Sequence, residues 1–237
     1  MGKPAITTSQ QLVLLHGLGR SPRSMWIMQK AMQDKGYNTI NLNYSPMTQD
    51  IHELATQLAQ KIINWVNPRQ PLHFVGHSFG GILIRAILAH PLFDPYPAKL
   101  GRCVMLGTPN QGTETASYAL SHPIFKHFTP KIANHLKPDS HFIAHLPEPK
   151  IATGIIAGDK DFHVIIPVTW FYQQATKGAP GDGVVEISNT RCRNMSDFII
   201  LPLHHSFMMW NSQVMQQVDY FLGHGQFMMS EYRQNDK

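Results

Sequence analysis

The chain has 237 residues, of which 43% are hydrophobic and 15% charged, and its formal net charge is +5. That length suits one well-filled core, so a single domain over residues 1–237 is expected, and the apolar content excludes a disordered chain. The 20 basic residues are scattered without a run, which argues against a nucleic-acid partner, and the 2 cysteines, Cys103 and Cys192, do not make a disulfide framework.

The opening MGKPAITTSQ lacks the apolar core of a signal peptide, and no apolar stretch is long enough to span a bilayer. A cytoplasmic location without a transmembrane segment is therefore expected. Residues 11–16 (QLVLLH), closed by Gly17, have the length and punctuation of a buried strand, and a helix is predicted to follow from Ser24. Residues 37–44 (YNTINLNY) alternate polar and apolar positions, predicting a second strand that ends before Pro46. Ile51, Leu54, Ala55, Leu58, Ala59, Ile62, Ile63 and Val66 then recur at three and four residues, one apolar stripe on a helix that Pro68 helps to stop.

Residues 72–75 predict a strand that runs into GHSFGG, after which Ile82, Leu83, Ala86, Ile87 and Ala89 continue as a helix ending before Pro91. Further strands are predicted at 103–106, 151–157 and 198–203, and a C-terminal helix at about 209–222. Strands alternating with helices imply an α/β fold with a mainly parallel sheet covered on both faces. Two segments break the rhythm. Residues 110–150 are rich in His, Pro and aromatic side chains and form a candidate cap over the sheet's C-terminal edge. Residues 159–181 hold Trp170, Phe171 and Tyr172 ahead of a DG turn.

Gly76-His77-Ser78-Phe79-Gly80 matches G-x-S-x-G, in which a serine sits on a strained turn between strand and helix. Its place between LHFV and GILIRAILA gives the pattern its weight. A serine hydroxyl needs a neighbouring base. Of the 14 histidines, His204 and His205 directly follow the last predicted strand, which returns a loop to the sheet edge carrying Ser78. His16 reads as a brace for the following loop, and His77 as the variable position of the motif. The acid should lie between serine and histidine in the chain, and two candidates stand out by their setting: Asp161, in GDKD just after a strand, and Asp182, in the tight Gly-flanked turn of GDGVV. The amides of Leu18, in His16-Gly17-Leu18-Gly19, and of Phe79 are candidate donors to an oxyanion. The histidines at 122, 127, 135, 141 and 145 lack metal-ligand spacing, and neither a metal nor an organic cofactor is implied.

The chain resembles the small bacterial serine lipases and esterases of the α/β-hydrolase superfamily. The motifs that carry the likeness are LLHGLGR (14–20), GHSFGG (76–81), LGTPNQG (106–112), GDGVV (181–185) and LPLHHSFMMWNSQV (201–214). The resemblance implies an α/β-hydrolase fold with a cap insertion, the acid in the DG-V-V turn and the base ahead of the last helix. It therefore favours Asp182 over Asp161 and His205 over His204. It implies a small-molecule ester or lipid substrate of short-to-medium acyl length, cleaved through an acyl-enzyme. A thioesterase or acyltransferase on the same triad, and a binding protein that keeps the fold without turnover, are the alternatives.

Overall fold

A computed structural model describes residues 10–93, 99–123, 125–127, 129–160 and 173–228. Asp161 and the aromatic run at 170–172 lie outside these. Six strands form one sheet: β1 (Gln11–Leu15), β2 (Asn38–Asn41), β3 (Leu72–His77), β4 (Leu100–Leu106), β5 (Thr153–Gly158) and β6 (Asp197–Leu201). Their order is β2-β1-β3-β4-β5-β6, and every neighbouring pair is parallel. Parallel strands are joined by crossovers that cover both faces, so they read as apolar runs rather than alternations. β1, β3 and β5 are buried at every residue, whereas β2, at the edge, is not.

The helices described over their full length are α1 (Trp26–Asp34), α2 (Ile51–Trp65), α3 (Phe79–Leu88), α4 (Glu114–Ser121), α5 (His141–His145) and α6 (Ser212–His224). Because side chains alternate across a strand, Val13 and Leu15 join Phe74 and Met105 beneath Leu54, Leu58, Ile62 and Ile82 of α2 and α3. Leu12 and Leu14 join Val75 and Val104 beneath Met28 and Met32 of α1 and Val218 and Phe221 of α6. Among the described residues no helix is long and apolar enough to cross a membrane.

Local signals set most helix ends. Asp50 caps α2 by accepting from the His52 N–H at 2.8 Å, and Asn211 caps α6 by accepting from Gln213 and Val214. The predicted start of the last helix at 209 is too early: residues His205–Trp210 form a 3-10 turn, and α6 begins only after the Asn211 cap. The helix expected from Ser24 likewise opens with a 3-10 turn at Pro22–Met25 before α1.

The 110–150 insertion carries α4 and α5. Near its start, the Thr113 and Thr115 hydroxyls donate to the Val184 carbonyl, beside Asp182 in the chain. Farther on, Ile132, Leu136, Ile143 and Leu146 enter the core formed with α2 and α3. Arg85, on α3 and only 3% exposed, fastens both ends of the insertion. Its guanidinium donates to the carbonyls of Asn110, Leu146 and Pro147 and to Asn110 Oδ1, with the Glu148 carboxylate 3.9 Å away. Replacing it leaves buried carbonyls without donors, so Arg85→Met should lower unfolding free energy by about 3 kcal/mol. A urea titration measures this, and an unchanged midpoint would refute the clamp.

Candidate active site

Ser78 joins β3 to α3 with φ 55° and ψ −124°, a conformation that a side chain disfavours and that lifts the residue out of both elements. The turn is possible because Gly80 brings α3 against β1: a Cβ there would strike the Leu15 carbonyl and lie 2.7 Å from that of His16. The Ser78 N–H donates to the Leu106 carbonyl at 2.8 Å, which ties the turn to the end of β4.

Asp182 is fully buried in the loop before β6, and its two oxygens have separate partners. Oδ1 accepts from the N–H groups of Val184 at 3.0 Å and Val185 at 2.8 Å, which fixes the carboxylate plane. Oδ2 accepts from His205 Nδ1 at 2.7 Å. With the Nδ1 proton committed to the carboxylate, neutral His205 presents Nε2 as a lone pair. The backbone repeats the link, since the His205 N–H donates to the Asp182 carbonyl at 2.8 Å.

His204 is engaged elsewhere: its Nδ1 accepts from the Ser206 N–H at 3.1 Å and caps the 3-10 turn. Of the two adjacent histidines, it is His205 that meets the acid. Gly107 makes room for that pair. At its φ of +54° a Cβ would lie 2.7 Å from Asp182 Oδ2 and 3.0 Å from His205 Nδ1. Gly107→Ala should therefore force acid and base apart and cost at least about 10²-fold in kcat. Steady-state kinetics on the folded variant test this, and full activity would contradict the tight fit.

Ser78 and His205 both flank the Leu106–Gly107 link, Ser78 through its N–H and His205 through its ring. Among the described residues no hydrogen bond joins the Ser78 hydroxyl to His205, a contact that in ligand-free sites often tightens only with substrate. On the other side of Ser78, residues 17–20 form a turn closed by Arg20 N–H to the Gly17 carbonyl at 3.2 Å. His16 braces it as the sequence suggests: the ring stacks on Tyr44 at 4.0 Å, its Nδ1 meets the Gly17 carbonyl at 2.9 Å, and the Tyr44 hydroxyl donates to the His16 carbonyl. Burial lowers the pKa of this histidine, which favours the neutral ring. Leu18 lies on this turn. Phe79 opens α3, where an N–H has no intrahelical acceptor.

The structure thus gathers Ser78, Asp182, His205 and the Leu18 and Phe79 loops at the C-terminal ends of β1, β3, β4 and β5. Two neighbours escape sequence reasoning. Both sit in motifs that the sequence displays, Gly107 in LGTPNQG and His77 in GHSFGG, but nothing in those runs shows that Gly107 would border the acid–base pair or that the His77 ring centroid would lie 4.8 Å from that of His205. A separate cavity of about 860 Å³ opens between the insertion and the ends of α2 and α3, lined by Ala55, His90, His135, Phe142 and Pro147, and it contains no member of this site. Among the described residues no group of three or more His, Cys, Asp or Glu side chains could hold a metal ion.

A family model described as the thioesterase domain matches residues 16–87. No curated protein matches the chain in sequence. Among solved structures, the mature lipase BlEst2 of Bacillus licheniformis is 19% identical, with 92% of each chain covered and a TM-score of 0.72. An esterase of Exiguobacterium antarcticum is 14% identical over 92% of this chain and 93% of that one, with a TM-score of 0.60. The Legionella pneumophila phospholipase PlaB, in complex with thio-NAD, is 16% identical over 83% of this chain but 52% of its own, with a TM-score of 0.63. The chain has the α/β-hydrolase fold, and in that fold it resembles bacterial lipases and esterases.

Proposed function

We propose that the chain is a serine hydrolase that cleaves carboxylic esters through an acyl-enzyme. The observation that carries this reading is the buried Asp182 Oδ2 to His205 Nδ1 hydrogen bond of 2.7 Å beside the strained Ser78 turn. His205 Nε2 takes the Ser78 proton as Oγ attacks the ester carbonyl. Asp182 keeps the imidazole in the required tautomer and stabilises its cation. The amides of Leu18 and Phe79 receive the negative charge on the carbonyl oxygen. Collapse expels the alcohol, protonated by His205, and leaves the acyl group on Ser78. His205 then activates water, which releases the acid and restores the serine. Nucleophile, proton carrier and oxyanion donors are all residues of this chain.

The proposed substrate is a small-molecule ester or lipid of short-to-medium acyl length. The named lipase and esterase of this fold support an ester substrate. A thioester is the second reading, favoured by the thioesterase-domain match at residues 16–87; acyl transfer to an alcohol would use the same intermediate. Both follow from one acyl-enzyme, so leaving-group chemistry separates them. Paired oxygen and sulfur esters of graded acyl length should give the highest kcat/KM with short-to-medium oxygen esters. A consistent preference for the sulfur series would transfer the assignment to thioester hydrolysis.

A further inference from the structure

We infer that His77, the residue before the nucleophile, is a positioning residue that fixes the base relative to Ser78 through a hydrogen bond from its Nε2–H to the His205 carbonyl. This inference rests on the ester-hydrolase reading of the same site.

The bond measures 2.9 Å and joins residues 128 positions apart in the chain. A carbonyl oxygen only accepts, so the imidazole must carry its proton on Nε2. His77 is 1% exposed. Burial first, and then the neighbouring His205, hold its pKa well below the ordinary histidine value; Arg20 and His16 act in the same direction. The ring therefore stays neutral, remains a donor, and adds no charge beside the imidazolium that forms on His205.

Among the described residues three hydrogen bonds hold the base. Its N–H and Nδ1 go to Asp182, and its carbonyl goes to His77. The first two set the base against the acid, and only the third sets it against the nucleophile's own strand. The opposite edge of the His77 ring faces the 17–20 turn: a Cβ on Gly17 would lie 3.0 Å from His77 Nδ1 and 3.1 Å from Ser78 Cβ. Among the described residues Nδ1 itself is buried without a hydrogen-bond partner, so none of them competes with the His205 carbonyl for the ring. One neutral ring thus lies between the loop that carries Leu18 and the backbone of the base, on the residue next in the chain to the one that carries the hydroxyl. Placement to within a fraction of an ångström is what such a site requires.

The test compares His77→Phe, which keeps a ring but has no N–H, with His77→Gln, which restores an N–H of similar reach. Turnover is expressed per active site titrated to completion with a fluorophosphonate, so that loss of folded protein does not count. His77→Phe should lower kcat about 10²-fold with KM unchanged, and His77→Gln should recover most of it. Wild-type turnover per titrated site in His77→Phe, or a Gln variant no better than Phe, would overturn the inference. Should the Phe variant not fold, ¹⁵N spectra of the wild-type ring decide: a neutral Nε2–H tautomer is expected, and an Nδ1–H tautomer or a cation at neutral pH overturns it. Wild-type protein that the phosphonate does not label would remove the hydrolase reading together with this one, whereas normal labelling with an indifferent His77→Phe would remove this one alone.

Discussion

Ser78→Ala should abolish ester turnover, with a loss on the order of 10⁶-fold in kcat, while the protein stays folded. The hydroxyl is the sole nucleophile in the proposed mechanism, so only transition-state binding at the Leu18 and Phe79 amides would remain. A second substitution at this position separates chemistry from strain. At φ 55° the serine occupies backbone space that glycine adopts freely, at a cost of about 1–3 kcal/mol for a residue with a side chain. Part of the relief is offset by glycine's greater freedom in the unfolded chain. Ser78→Gly should therefore be as inactive as Ser78→Ala yet more stable by about 1 kcal/mol, read from denaturant midpoints. Activity surviving in either variant would rule out the mechanism, and a Gly variant less stable than the Ala variant would rule out stored strain.

Asp182→Asn should be the next most damaging change, at roughly 10⁴-fold in kcat. The direction follows from the hydrogen bonds around the carboxylate. Two backbone N–H groups, of Val184 and Val185, point at Oδ1. An asparagine must turn its carbonyl oxygen toward them, which aims its NH₂ group at His205 Nδ1. That nitrogen can then only accept, so the proton moves to Nε2, the atom that has to receive the serine proton. Geometry is conserved and function is lost. Asp161→Asn, at the alternative acid outside the described residues, should leave kcat within a few-fold of wild type. The reverse ranking of the two variants would reassign the acid.

The sheet was readable because parallel strands buried on both faces are written as near-continuous apolar runs: LVLL, LHFV, CVML and FIIL each mark a strand. The three-and-four spacing from Ile51 onward marked α2 equally well. Where the reading slipped, side chains had bonded locally to the backbone. The start of α6 shifted because His204 and Asn211 each cap a turn, while Met208 and Met209 fill the core and mimic a helical stripe. Residue types alone could not separate His204 from His205; the choice depends on which backbone reaches the Asp182 carbonyl, a long-range fact. His77 was invisible for the same reason, since its partner is distant in the chain. Arg85 looked like an ordinary polar position on a helix, and only the folded insertion gives its guanidinium four acceptors to meet.

The central claim is that Ser78, His205 and Asp182 act as one acyl-transfer unit, and covalent labelling addresses it most directly. Folded wild-type protein exposed to a fluorophosphonate should carry one adduct, mapped by peptide mass spectrometry to Ser78, with His205→Ala labelled at least about 10³-fold more slowly. An adduct on another residue, no adduct at all, or equal rates with and without the imidazole would contradict the account.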